Sequence, residues 1–161
     1  VTEANQEETL ADEQLLAHER EPVHRDLILQ FIVGMASQTG VETPITLTVK
    51  GVYVSGYIVS GARFFDGVTE EMSKGSFASQ EVKKFTLDFF KNFAEAFRQP
   101  EATKDNAETD PRLYRPDFIH LRAARFFAPG TVHMAIPSNG AWWRGRLDSV
   151  DGFFLGSLFP P

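Results

Sequence analysis

Between Ile45 and Ser60 the chain alternates apolar and polar residues, and a single glycine interrupts the pattern. Ile45-Thr-Leu-Thr-Val-Lys50 has a clean period of two, Gly51 breaks it, and Val52-Tyr-Val-Ser-Gly-Tyr-Ile-Val-Ser60 resumes it. Side chains on a strand point alternately to opposite faces, so this pattern predicts a β-hairpin. The reading continues the second strand to near Phe65, with Gly56 and Gly61 as bends or bulges that let the strand curve.

Two stretches flanking the hairpin have helical spacing. Asp26 is placed to N-cap a helix reaching about Gln38, and Gly40 supplies the stop. Its stripe of Leu27, Ile28, Phe31, Ile32 and Met35 is expected to face the core. The second helix spans about Ser79 to Arg98, with Ser76 or Ser79 as its cap and Pro100 after its end. Val82, Phe85, Phe89, Phe93 and Phe97 line one side, and Leu87, Phe90 and Ala94 widen it. Core packing is the default for this stripe too, although its width leaves room for a partner. Phe118-Ile-His-Leu-Arg-Ala-Ala-Arg-Phe-Phe127 reads as the next strand, followed by turns at Pro129-Gly130 and Pro137-Ser-Asn-Gly140. Trp142 to Ser149 reads as a fourth strand, and Phe153 to Leu158, after an Asp151-Gly152 turn, as a fifth.

This order predicts an α+β fold: a small, strongly bent antiparallel sheet or partial barrel of four to five strands packed by two helices. Residues 1–21 form an acidic arm expected to be mobile, with seven acids and one base. Residues 22–161 form a single domain with an exposed, proline-rich loop at 99–116. Beyond the arm the chain holds 15 acids and 15 bases, so its body is formally neutral. A neutral body lacks the self-repulsion that keeps molecules apart, and it lacks the basic excess of a nucleic-acid binder.

The chemistry-bearing residue types are sparse. With no cysteine there is no disulfide, thiolate metal site or thiol nucleophile, which fits a reducing compartment. His18, His24, His120 and His133 show no metal-ligand spacing, and His120, alternating with Ile119 and Leu121, is expected on the outer face of its strand. Ser55-Gly56 and Ser60-Gly61 read as strand pairs without the strand-to-helix turn of an exposed nucleophile, and Glu70 and Glu71 as solvated linker charges. The reading is a non-enzyme with no catalytic residue, cofactor or metal. No apolar run nears the roughly 18 residues that span a bilayer, and the N-terminal residues lack a signal-peptide pattern. A cytoplasmic protein without membrane contact is therefore expected.

Two segments stand out as surfaces. In Trp142-Trp143-Arg144-Gly145-Arg146, Trp142, Arg144 and Arg146 share one strand face. One tryptophan can fill the core while the other meets a partner, or the segment can be an edge strand with satisfied charges. The C-terminal run from Phe153 and Phe154 to Pro161 is either a last core strand or a docking segment. Trp142, Arg144, Arg146, Phe153 and Phe154 are accordingly the candidate interaction residues.

The hairpin from Ile45 to Gly61, the Phe118–Phe127 strand, the segment from Trp142 to Ser157 and the preceding Leu29-Gln-Phe-Ile-Val33 together resemble the gas vesicle accessory protein U family. The resemblance covers about Asp26 to Leu158 and excludes the acidic arm. It implies a non-catalytic protein in cells that build gas-filled protein shells, one that associates with itself and with the shell protein and gathers vesicles into clusters. A fold-level analogy to Sm-like small barrels leaves an RNA- or ligand-binding module as the alternative.

Overall fold

A computed structural model describes residues 26–98, 116–128 and 136–159. The elements run α1 (Leu27–Thr39), β1 (Thr43–Val49), β2 (Val52–Ile58), α2 (Gly61–Ser73), α3 (Gln80–Arg98), β3 (Phe118–Phe127), β4 (Ile136–Arg146), a 3-10 turn (Leu147–Ser149) and β5 (Gly152–Leu155). The strands form one antiparallel sheet in the order β4-β3-β2-β1-β5. The α+β class is as expected, with five strands. The sheet is open and not a barrel, because β4 and β5 each pair on one side only. Among the described residues three helices pack it, one more than the sequence indicated. The arm at 1–21, most of the 99–116 loop and the Pro129-Gly130 turn lie outside the described residues.

The hairpin closes through Lys50 and Gly51, both at positive φ (50° and 78°), between the paired Val49 and Val52. Two such residues make the type I′ turn whose twist matches the strands it joins. Lys50 is not a residue that favours this conformation, and a tether holds it. The Asp151 carboxylate accepts the Lys50 backbone N–H at 2.6 Å, and the Asp151 N–H donates to the Thr48 carbonyl at 2.8 Å. The turn is thereby fastened to the start of β5. Asp151→Ala is expected to lower stability by about 1–2 kcal/mol, the range of an exposed charge-assisted hydrogen bond. Urea denaturation checks this, and an unchanged midpoint would show that the tether contributes nothing.

The second strand stops at Ile58 rather than running on to Phe65. Ser60 is extended and its Oγ accepts the Arg63 N–H at 3.2 Å, which makes it the N-cap of α2. Ser60-Gly61 is therefore a strand-to-helix junction, and Glu70 and Glu71 lie on α2 beside Lys74, not in a linker. Gly56, by contrast, sits where the β2–β3 register shifts, as a bulge should. Pro137 to Gly140, read as a turn, belongs to β4.

Both faces of the sheet are covered. On one face Ile45, Leu47, Val54, Ile119 and Leu121 pack against Leu29, Ile32, Val33 and Ala36 of α1. Each such fully buried aliphatic side chain contributes about 1.5–3 kcal/mol. On the other face, Phe64 and Phe65 of α2 and Ala94 of α3 form a second cluster with Val59. The rest of that face is latched by the C-terminal segment. Thr46 Oγ1 donates to the Gly156 carbonyl at 2.9 Å, Leu158 N–H donates to Ser55 Oγ at 2.9 Å, and Phe159 stacks on Phe127 at 5.0 Å.

Two helix faces differ from expectation. Of the α1 stripe only Ile32 is buried; Leu27, Ile28, Phe31 and Met35 point outward. The α1 sequence is apolar almost all round, so Leu29, Ile32, Val33 and Ala36 meet the same spacing rule. On α3 the buried residue is Ala94, while Val82, Phe85, Phe89, Phe93 and Phe97 are all exposed.

Candidate functional site

The outer surface of the α2–α3 hairpin is a ladder of aromatic rings. Phe65 stacks between Phe93 (5.1 Å) and Phe97 (5.5 Å), and Phe89 meets Phe90 and Phe93 edge-on at 5.3 and 5.0 Å. Phe85, 75% exposed, continues the ladder with no ring contact of its own among the described residues. The Phe65 stack on Phe93 and Phe97 crosses the helix–helix seam that Ala94 also lines, while Phe85 and Phe89 face farther outward. Glu81, Asp88 and Glu95 recur every seventh residue along one border of the ladder, and Lys84, Lys91 and Arg98 lie farther round. Arg98 bonds both Glu95 and Asp66, which fixes the end of α3 to α2.

Across the sheet, the outward side of α1 shows Leu27, Ile28, Phe31 and Met35. No charged residue occurs between Leu27 and Thr39. The two apolar surfaces therefore lie on opposite sides of one sheet. Contiguous exposed apolar surface of this kind marks a contact site.

Beneath the aromatic ladder sits a second group of residues from β3 and β4. His120 is 4% exposed and faces Phe64, Phe65 and Phe97 at ring-centroid distances of 4.8, 6.1 and 5.6 Å. It is not on an outer face; its strand face is roofed by α2 and α3. Its Nε2 has no hydrogen-bond partner among the described residues. Burial, and then the charge of Arg144 paired across from it, push its pKa from 6.5 down to about 4. At neutral pH the imidazole is uncharged and packs as an aromatic ring among the phenylalanines.

The strand predicted as an interaction face is mostly engaged within the molecule. Trp143 packs on the first core, and Trp142 is half-buried under α2 instead of lying outside. Its indole fills a notch at Gly67, where a Cβ would come within 1.9 Å of the ring. Phe64 meets it edge-on and the Arg63 guanidinium lies 5.4 Å from its centre. Arg144 is exposed but its guanidinium sits 3.5 Å from the Phe118 ring centre. Arg146 is exposed and bonds Asp148, which raises its pKa further. Phe153 packs on the first core, whereas Phe154 and Leu155 are exposed on the edge strand β5. Sequence reasoning grouped Trp142, Arg144 and Arg146 correctly on one strand side and left the wide α3 stripe room for a partner, but took core packing as the default for both helix stripes. The absence of charge on α1 was the available signal for one, and the width of the α3 stripe for the other.

Among the described residues no group of three or more His, Asp or Glu could hold a metal ion, and no helix is long and apolar enough to cross a membrane. The chain matches the family model described as gas vesicle protein GvpU-like over residues 26–158. The chain belongs to the GvpU-like family. No curated protein and no solved structure matches it. In this GvpU-like chain the match begins at the α1 cap and takes in both helix faces, the Gly67–Trp142 contact and the hydrogen bonds of the C-terminal latch at Gly156 and Leu158. Membership ties the chain to gas vesicles.

Proposed function

We propose that this GvpU-like protein is a non-catalytic accessory protein that associates with itself and contacts the gas vesicle shell, gathering vesicles together. One observation carries the reading: two exposed apolar helix faces on opposite sides of a single sheet. Bridging requires two contacts that can be made at once, and back-to-back surfaces allow that without mutual obstruction. The α3 ladder is the better shell contact, because exposed aromatic side chains supply large apolar area with little entropy to lose. The formally neutral body supports close approach. RNA binding is less well supported, since Arg122, Arg144 and Arg146 are held by Glu42, Phe118 and Asp148.

The test is co-flotation with purified gas vesicles. Phe85→Glu/Phe89→Glu is expected to weaken vesicle binding at least about tenfold, the loss of one good aromatic anchor or more. Both side chains are exposed, so the variant should remain folded. Arg144→Glu/Arg146→Glu is expected to bind as the parent does. Unimpaired binding by the phenylalanine variant, with loss in the arginine variant, would transfer the contact to the β4 face.

A further inference from the structure

We infer that the outward face of α1 is the homotypic contact, pairing with α1 of a second copy about a two-fold axis at Phe31. The inference rests on the proposed self-association and says which of the two faces performs it. In an antiparallel two-fold pair of helices the same patch meets itself, and the row of side chains bordering the seam faces its own copy. That condition separates the two helices.

On α3, self-pairing along the phenylalanine ladder brings the bordering row of Glu81, Asp88 and Glu95 against its own copy. Like charges brought together at an interface are costly and act against that pairing. The α3 face is therefore suited to a different molecule. On α1, no residue from Leu27 to Thr39 carries charge, so nothing on the helix opposes its copy. A helix that is apolar on nearly all sides is ordinarily buried on all sides, yet Phe31 is 66% exposed in the single chain. Antiparallel pairing centred on Phe31 sets Leu27 and Ile28 of one copy against Met35 of the other, and it also opposes the two helix dipoles favourably.

The experiment is sedimentation of the full chain over a range of concentrations, with circular dichroism to confirm folding. The parent is expected to sediment as a dimer or larger. Phe31→Glu and Phe31→Lys should each weaken self-association at least about a hundredfold, because each dimer then holds two like charges at its centre. An equimolar mixture of the two variants should regain dimer, since opposite charges now meet. Phe85→Glu/Phe89→Glu should self-associate as the parent does. Parent-like association of Phe31→Glu, or loss of association in the α3 variant, overturns the assignment to α1 while leaving self-association standing. A mixture that stays monomeric overturns the two-fold seam at Phe31. A parent chain that is monomeric at every concentration overturns both this inference and the self-association on which it rests, and means that another occupant covers α1.

Discussion

Lowering the pH from 7 to 4 is expected to cost about 3 kcal/mol of folding stability through His120 alone. The folded-state pKa is depressed to about 4 from 6.5. In the unfolded chain the imidazole is hydrated and takes up its proton near the ordinary value. Between those two values the unfolded state binds more protons than the folded state, so stability falls as pH falls, by up to about 1.4 kcal/mol per unit. Above 6.5 the stability is fully present, and below about 4 both states are protonated and this loss stops. The cause is spatial: Phe64, Phe65 and Phe97 exclude water, and Arg144 is the charge that faces the ring. Urea titrations at pH 7, 5.5 and 4 measure the effect, with His120→Leu as the comparison. The variant should lose most of the slope across this window; an equal slope in both proteins would place the acid sensitivity elsewhere.

Gly67→Ala is expected to destabilise the fold by about 2 kcal/mol, the reverse of what the substitution does in an ordinary helix. Replacing a mid-helix glycine by alanine normally gains about 1 kcal/mol. Here the new methyl would lie 1.9 Å from the Trp142 indole, and the rings and guanidinium around that indole leave it little room to yield. Overpacking of this kind costs about 1–3 kcal/mol beyond the lost gain. The interpretation is checked by repeating the substitution beside Trp142→Leu. With the indole gone, Gly67→Ala should turn neutral or stabilising, giving a coupling of at least about 1 kcal/mol in the double-mutant cycle. A stabilising Gly67→Ala in the parent would show that the notch is loose.

What the sequence disclosed and what it withheld divide along physical lines. The hairpin, β3 and the limits of α1 were legible because alternation, a capping Asp26 and a terminating Gly40 are local signals. The orientation of α1 was not, since an apolar stretch without charges offers two equally good inward faces. The α2 helix was hidden because Val59-Ser60-Gly61 can end a strand or continue it, and the decisive event is the Ser60 cap. His120 was placed on the correct strand side but the wrong side of the solvent boundary, because alternation does not reveal whether a second layer covers a face. Of the candidate residues, Arg144 and Arg146 were legible as exposed positions, whereas the C-terminal run read either as a core strand or as a docking segment, and its Phe153 packs on the core while Phe154 is exposed. The burial of Trp142 depends on Gly67, a partner far away in the chain that leaves no pattern near the tryptophan.

The layering has one mechanical outcome. With helices on each side of a sheet, successive layers are separated by about 10 Å, so the outermost surfaces stand at least about 20 Å apart. The sheet between them is held by antiparallel hydrogen bonding throughout. On the proposed reading, a molecule gripped on one side and another gripped on the other would be kept at a stand-off set by this layer thickness, as by a washer and not a leash.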